Sequence, residues 1–506
     1  MLPAVFPLSR QPSSARHTSF LVLGILFSGL LALLFADIEI YTSEPWTELS
    51  RLGQGFILPD FSNPKALTDA LLQTLAFALL AVALSAPLGL LLATVFHWRL
   101  VRGFCAAIRS VHEVFWGLLF MQVFGLSALT GLLAILVPYT GVFAKVYAET
   151  LELQSDQQER SLPRVNALLR WVYTRIPQAW PALTSYTRYR FECALRSSAI
   201  LGFIGLPTLG FHLETALKQG QYSEAGALIW LFLALIASIQ YWLKPKLLPI
   251  YLFAALWLLP DTTGSVSASY LWQFISQDIW PSALRNGDME ALWSWLSRMI
   301  SEQAWPGIVQ TLLLTQAALA LTLVFVLIFY PFASRTLASA PVSFAGHALL
   351  LVMRSTPEML LAFVFLLLFG PSGLPAVLAL ALHNGGLISY LVATSGDANT
   401  DKNSTDSKNE NSCSAGVSLS PVLKYAYQET PRRLPNLLAW LFYRWEVMLR
   451  ETAIMGILGI ATLGFYIDSA FEEIRYDRAF FLLLVAILLN LCVDAVSRRL
   501  RRLVIQ

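Results

Sequence analysis

Apolar runs, most of them long enough to cross a bilayer, alternate along the chain with short polar connections that hold most of its charge. A helix needs about 20 apolar residues to span about 30 Å of hydrocarbon, and by that measure the pattern predicts about twelve membrane helices. They fall near residues 19–38, 68–97, 112–124, 127–147, 192–213, 225–243, 247–260, 307–333, 357–370, 373–393, 438–465 and 479–496. The first run, "SFLVLGILFSGLLALLFADI", follows Arg10 and Arg16 as a signal-peptide core would. Its length suits a span, and no small-residue cleavage site follows it, so it reads as a retained helix. The run "LLPIYLFAALWLLP" is short, but Lys244 and Lys246 precede it while Asp261, Asp278, Asp288 and Glu290 follow it. Opposite charge on its two sides argues for a crossing.

The same charge rule orients the remaining spans. Arg99, Arg102 and Arg109, then Arg160, Arg164, Arg170 and Arg175, then Arg335 and Arg354, then Arg498, Arg499, Arg501 and Arg502 occupy alternate loops. Those loops are expected to be cytoplasmic, with both termini, and the loops bearing Glu39, Glu44, Glu48 and Asp60, or Asp468, Glu472 and Glu473, to face outward. Two outer segments, 39–66 and 261–305, carry Trp46, Trp272, Trp280, Trp293, Trp295 and Trp305, suited to lie along the lipid headgroups.

Composition agrees with this picture. The chain is 56% hydrophobic and 13% charged, with mean hydropathy +0.60, which excludes an ordinary soluble globule. A formal net charge of +3 over 506 residues leaves no footprint for nucleic acid. Cys105, Cys193, Cys413 and Cys492 have no metal-ligand or paired spacing and read as free thiols. No GxxxxGK[ST], HExxH or GxSxG pattern occurs, so the chain is expected to bind no cofactor or metal and to catalyse no reaction itself.

A repeat runs through the chain. "YRFECALRSSAILGFIG" begins at Tyr189 and "YRWEVMLRETAIMGILG" at Tyr443. The alignment pairs Arg190/Arg444, Glu192/Glu446, Arg196/Arg450, Gly202/Gly456, Gly205/Gly459 and Gly210/Gly464. Upstream, "IRSVHEVFWGLLFMQVFG" pairs with "MRSTPEMLLAFVFLLLFG", aligning Arg109/Arg354 and Glu113/Glu358, and Gln73-Thr74 pairs with Gln310-Thr311. The fold class expected is therefore an all-α polytopic membrane protein of two parallel six-helix repeats, residues 1–243 and 244–506. The second copy is interrupted near 395–420 by "SGDANTDKNSTDSKNENSCSAGVSLS", whose polar composition predicts a disordered cytoplasmic insertion.

Several residues stand out within the repeats. Glu192/Arg196 and Glu446/Arg450 are acid-before-base pairs at i,i+4, expected to form ion pairs where basic segments enter the bilayer. Pro177 and Pro181, like Pro431 and Pro435, are expected to interrupt a cytoplasmic helix and turn the chain toward the membrane. The glycines Gly202, Gly205, Gly210, Gly456, Gly459 and Gly464 allow either close packing or a pathway between helices. Pro207, in the first copy only, is placed to kink its helix. His383 in "LALALHNGG" is read as a hydrogen-bonded packing residue rather than a ligand.

With "RSVHEVFWGLLFMQVFG", "AKVYAETLE", "IPQAWPALTSYTRYRFECALRSSAILGFIG" and their second-half partners in hand, the sequence resembles the phosphonate/phosphate/phosphite-type permeases of bacterial ATP-binding-cassette (ABC) importers. The resemblance covers both halves, as two fused permease copies. It implies the type I importer architecture in the cytoplasmic (inner) membrane, with substrate delivered by an extracytoplasmic binding protein. It further implies two cytoplasmic ABC ATPase subunits, which would use the ATP and Mg. Each half would carry a coupling helix that docks on an ATPase, carried here onto residues 149–178 and 416–433, with Glu149, Arg164, Arg170, Pro177, Pro431 and Arg432 as contact residues. The glycines would line the pathway. Arg164 stands near a position the family fills with glycine, and Thr394 stands where the first half has Glu149, so the two docking surfaces are expected to differ. Competing readings are a fused ABC permease for another small solute and an ion-driven secondary transporter, which would need midplane acids that the spans hardly supply.

Overall fold

Hydrocarbon offers backbone N–H and C=O groups no partner, so a chain this apolar satisfies them within helices. The computed structural model describes residues 15–41, 44–154, 167–259, 268–406 and 420–505, and no strand occurs among them. The helices are α1 (Ala15–Phe35), α2 (Pro45–Ile57), α3 (Pro64–Thr94), α4 (Arg99–Ser110), α5 (Glu113–Phe124), α6 (Ala128–Glu152), α7 (Ala167–Ile200), α8 (Leu209–Lys218), α9 (Tyr222–Trp242) and α10 (Leu248–Leu258). They continue as α11 (Met289–Met299), α12 (Trp305–Ala333), α13 (Ala340–Ser355), α14 (Glu358–Phe369), α15 (Gly373–Asp406), α16 (Thr430–Ile454), α17 (Leu463–Glu472) and α18 (Tyr476–Ile505). Local sequence starts several of them: Asn63, Ser127 and Asp288 accept N–H bonds from Ala66, Thr130 and Ala291 at the first turns of α3, α6 and α11.

Seven helices are long and apolar enough to cross a membrane, and up to eleven spans result if each of four bent pairs counts as one. The expected twelve included 112–124 and 357–370 as spans of their own. In the structure these are α5 and α14, of 12 residues each, which reach only about 18 Å at 1.5 Å per residue. Each follows a sharp turn, of 92° between α4 and α5 and 90° between α13 and α14. Residues Pro245–Leu258, with α10, fall below the length of a straight span.

The chain divides into two compact units, Leu49–Arg285 and Leu8–Glu48 with Asn286–Gln506. In the first, α3 packs along α6, α7 and α10. In the second, α12 packs along α15, α16 and α1. The sequence places the junction of the halves at 243/244, whereas α10, which follows that junction, lies on α3, and α1, from the chain's beginning, lies on α12. Gly29 makes the α1 contact close, since a Cβ there would overlap Ala320, and Gln316 Nε2 donates to Ser28 Oγ at 2.6 Å.

Both units break a long helix in the same way. α7 passes into a 3-10 turn, Leu201–Ile204, ended by Gly205 at φ +91°, and α16 into Met455–Leu458, ended by Gly459 at φ +84°. Left-handed φ is the conformation that glycine adopts without steric cost, and it stops each helix. After each break, α8 and α17 leave at bends of 53° and 46°. Pro207 does not cause the bend, because the second unit bends comparably with Ala461 at that place. The interruption expected at Pro177 and Pro181 is absent as well. α7 runs through both as one helix, Pro431 sits in the first turn of α16, where its missing N–H has no intrahelical role, and Pro435 lies inside that helix. α15 continues into the polar segment as far as Asp406, and residues 407–419 lie outside the described ones.

The break allows no side chain at its crossing. A Cβ on Gly202 would overlap the Phe211 nitrogen, and one on Gly456 would overlap the Phe465 nitrogen. Gly202→Ala and Gly456→Ala should therefore each cost about 1–3 kcal/mol through overpacking. Gly53→Ala on α2, where a Cβ meets nothing within 4 Å, should cost nothing measurable. Thermal unfolding of the detergent-solubilised chain measures the difference, and equal midpoints for all three would refute it.

Candidate functional site

Two clusters of buried polar groups, one in each unit, lie beside the sharp turns. In the first unit His112 caps α5: its Nδ1 accepts the Val114 N–H at 3.3 Å, and its Nε2 lies 3.0 Å from Glu113 Oε2. A ring nitrogen that accepts leaves the proton on the other, directed here at the carboxylate. Glu113 Oε1 accepts from Ser197 Oγ at 3.3 Å, and Ser197 Oγ lies 3.1 Å from the Tyr139 hydroxyl. The Arg190 guanidinium carbon stands 4.1 Å from the centre of the Tyr139 ring, a cation–π contact. α5 with its cap, α6 and α7 thus converge on one polar chain through residues distant in sequence.

The second unit builds its cluster from the same positions with different chemistry. Arg444 Nε donates to Asn384 Oδ1 at 2.6 Å, and Nη2 donates to Glu451 Oε1 at 3.0 Å. Asn384 Nδ2 in turn donates to Glu451 Oε2 at 3.3 Å and to the Leu380 carbonyl at 2.9 Å. Glu358 Oε2 lies 3.8 Å from His383 Nε2, and His383 Nδ1 lies 3.0 Å from the Thr356 carbonyl. His383, fully buried, is thus a hydrogen-bonded residue facing a carboxylate. In the repeat alignment Asn384 replaces Tyr139, Glu451 replaces Ser197, and the histidine moves from the position of His112 to that of Pro138. Each unit still assembles an arginine, a glutamate and a histidine.

A third constellation secures the start of α16. Arg433 Nε donates to Glu429 Oε2 at 2.9 Å, Nη1 to the carbonyls of Val392 and Ala393 at 3.2 and 3.4 Å, and Nη2 to Thr336 Oγ1 at 2.9 Å. Tyr330 joins it by donating to or accepting from Thr430 Oγ1 at 2.7 Å, and Lys424 Nζ donates to the Thr336 carbonyl at 3.0 Å. One buried guanidinium therefore ties the turn after α12 and the interior of α15 to the beginning of α16. The first unit has Ala179, which carries no donor, at the matching position.

The sequence-predicted residues are distributed unevenly over these features. Glu149 is exposed near the end of α6, Pro177 is exposed within α7, and Pro431 and Arg432 are exposed beside the buried Arg433. Arg164 lies outside the described residues, and Arg170 belongs to the first turn of α7. The ion pair expected between Glu192 and Arg196 is not formed among the described residues: Glu192 is exposed, and Arg196 Nη2 approaches Cys193 Sγ at 3.4 Å. A solvated carboxylate gains little from such a pair. Glu446 is buried and Arg450 half-buried. Gly202, Gly205, Gly210, Gly456, Gly459 and Gly464 all lie at the two helix breaks, where backbone crosses backbone: a Cβ on Gly210 would overlap the Ala199 carbonyl, and one on Gly456 would overlap the Gly464 carbonyl carbon. Sequence reasoning missed Arg433, Asn384 and Glu451, and it aligned Arg190/Arg444 and Glu113/Glu358 without a role. For the two aligned pairs the available signal was a charged residue kept in both copies inside apolar sequence, whereas Arg433, Asn384 and Glu451 face Ala179, Tyr139 and Ser197 in the first copy.

Apolar helices broken and turned in the same way in two units, with charge held inside each, define a multi-pass membrane protein. The chain belongs to the phosphonate/phosphate/phosphite-type family of ABC importer permeases. It is 25% identical over 489 residues to the phosphate-import permease protein PhnE of Mycolicibacterium smegmatis, covering 88% of this chain and 87% of that one. It is 30% identical over 193 residues to the phosphite transport system permease protein PtxC of Stutzerimonas stutzeri, covering 36% of this chain and 70% of the relative. A putative cryptic phosphonate transport system permease protein of Escherichia coli, PhnE2, is 29% identical over 112 residues, 22% of this chain and 92% of its own length. No family model and no solved structure matches the chain.

The hub separates two neighbouring arginines by their burial. Arg433→Met, which leaves Glu429 buried without its cation, should cost about 3–5 kcal/mol. Arg432→Met, at an exposed position, should change stability by less than about 0.5 kcal/mol. Thermal unfolding in detergent distinguishes them, and equal losses would show that the Arg433 contacts carry no stability.

Proposed function

We propose that this chain supplies both membrane halves of a bacterial inner-membrane importer for a phosphorus oxyanion: phosphonate, phosphate or phosphite. The observation that carries the reading is the match over 88% of the chain to a relative named as a phosphate-import permease. Substrate arrives from an extracytoplasmic binding protein, and two cytoplasmic ABC ATPases bind and hydrolyse ATP with Mg, so the chemistry belongs to the partners. The segments 149–178 and 416–433 dock on those ATPases, with Glu149, Arg164, Arg170, Pro177, Pro431 and Arg432 at the contact. The exposure of Glu149, Pro177, Pro431 and Arg432 supports that assignment, since a docking residue must be reachable. Rocking of one half against the other supplies alternating access.

The two docking segments transmit force differently. In the second half the Arg433 hub fixes the start of α16 to α12 and α15, so a push on 416–433 reaches three helices at once. In the first half α7 is one long helix from Ala167 to Ile200 and carries the push along its own axis to the break at Gly205.

Vesicles containing the chain with its ATPase and loaded with ATP should accumulate methylphosphonate, phosphate or phosphite when the cognate binding protein is added outside. The purified chain alone should hydrolyse no ATP. Uptake that persists without the ATPase and follows an imposed ion gradient would replace this reading with that of a secondary transporter.

A further inference from the structure

The paired clusters put an arginine beside the middle of an apolar helix in each unit, and they neutralise only one of them. Tyr139, under the Arg190 guanidinium, lies near the middle of the 25 residues of α6. Asn384, bonded to Arg444, lies near the middle of the apolar span Gly373–Ser395. A cation among apolar helices is costly unless it is paired, and its presence there marks function by default. Arg444 is paired, with Glu451 at 3.0 Å and Asn384 at 2.6 Å.

Arg190 is not. The titratable groups that face it are Tyr139, Tyr186, Tyr189 and Cys193, and no carboxylate is among them. Its guanidinium makes no hydrogen bond or ion pair among the described residues, and its Nε is buried without a hydrogen-bond partner. The place that Glu451 fills in the second unit is held by Ser197, whose hydroxyl is engaged with Tyr139 and Glu113. Glu113 itself is turned to His112 at 3.0 Å. The aromatic face beneath Arg190 therefore holds the cation in place while its N–H fork stays unspent, the residue half-buried and its Nε fully so. A planar fork of N–H donors fits two oxygens of a tetrahedral oxyanion.

Given the proposed phosphorus-oxyanion importer, we propose that Arg190 holds the substrate oxyanion in transit by a bidentate guanidinium contact, and that Arg444, held by Glu451 and Asn384, does not. The two halves of the carrier then differ in kind: one presents a ligand, and the other presents a closed ion pair that positions its helices.

The test uses the full chain reconstituted with its ATPase and binding protein, with methylphosphonate as the probe. Arg190→Gln should lower uptake about tenfold or more, at unchanged complex yield and unchanged melting temperature. Arg190→Lys, which keeps the charge without the fork, should retain about a third of the wild-type rate. Wild-type uptake in Arg190→Gln overturns the assignment, and so does Arg190→Lys uptake no better than that of Arg190→Gln. If Arg190→Gln fails to assemble, Arg190→Lys decides alone: an assembled complex with less than about a tenth of wild-type uptake overturns it. No uptake of methylphosphonate, phosphate or phosphite by the wild-type complex would instead defeat the functional reading beneath it.

Discussion

Thr74 Oγ1 accepts the backbone N–H of Leu209 at 2.8 Å, and Thr311 Oγ1 accepts that of Leu463 at 2.9 Å. These two bonds make a broken membrane helix affordable. Each break leaves the first N–H groups of the following helix without an intrahelical partner, in a medium where an unsatisfied group costs several kcal/mol. A hydroxyl on the neighbouring long helix supplies the acceptor, while its own proton goes one turn back, to Ala70 O or Gly307 O, each at 2.7 Å. Thr208 and Thr462 return bonds to Ala199 O and Ala453 O across the same break, at 3.4 and 3.3 Å. The glycines follow from this arrangement, because such bonds form only where backbone approaches backbone with no Cβ between.

Fixing the break fixes the helix before it. With Gly205 and Thr74 setting where α7 ends, Arg190 and Ser197 are brought to Tyr139 and Glu113, and Gly459 with Thr311 does the same for Arg444 and Glu451. The duplicated backbone is thus held constant by hydroxyls and glycines, and the side chains of the cluster are left to diverge. They have done so in charge: the second unit adds the carboxylate of Glu451, and the first has a serine there. They have also done so at the far end of the same helices, where Arg433 knots three helices together and Ala179 knots none.

Much of this was legible in the sequence. Gly205 and Gly459 were visible as aligned glycines because a left-handed residue accepts little else, and Thr74/Thr311 were visible as an aligned pair beside glutamine. The polytopic α-helical class followed from hydropathy alone. The right-angle turns at Val111 and Thr356 were not legible, because hydropathy measures how apolar a run is and says nothing of its direction, so two 12-residue runs read as spans. Pro177 and Pro435 read as interruptions by a rule drawn from water-soluble helices, yet both sit inside continuous helices. Arg432 and Arg433 are one residue apart, which on a helix is a rotation of about 100° and the difference between surface and core, and two adjacent arginines in the sequence do not tell which is buried. Glu192 and Arg196 had the spacing of an ion pair, but spacing does not tell which of the two faces water.

The packing of α1 and α10 is the feature that no local signal could carry, because it concerns which partner a span selects rather than whether it spans. Each lies along the long helix that bears the capping threonine, α12 or α3. In lipid, two apolar surfaces gain nothing by hiding from water, so helix association rests on close fit and on polar groups. α1 shows both: Gly29 admits Ala320, and Ser28 receives Gln316, the same face of α12 being completed by groups from the chain's beginning. A half built from its own residues alone would leave that face of α12 to lipid and Gln316 without the Ser28 hydroxyl. Because both units lie in one chain, α1 and α10 reach α12 and α3 from the same polypeptide that carries those helices.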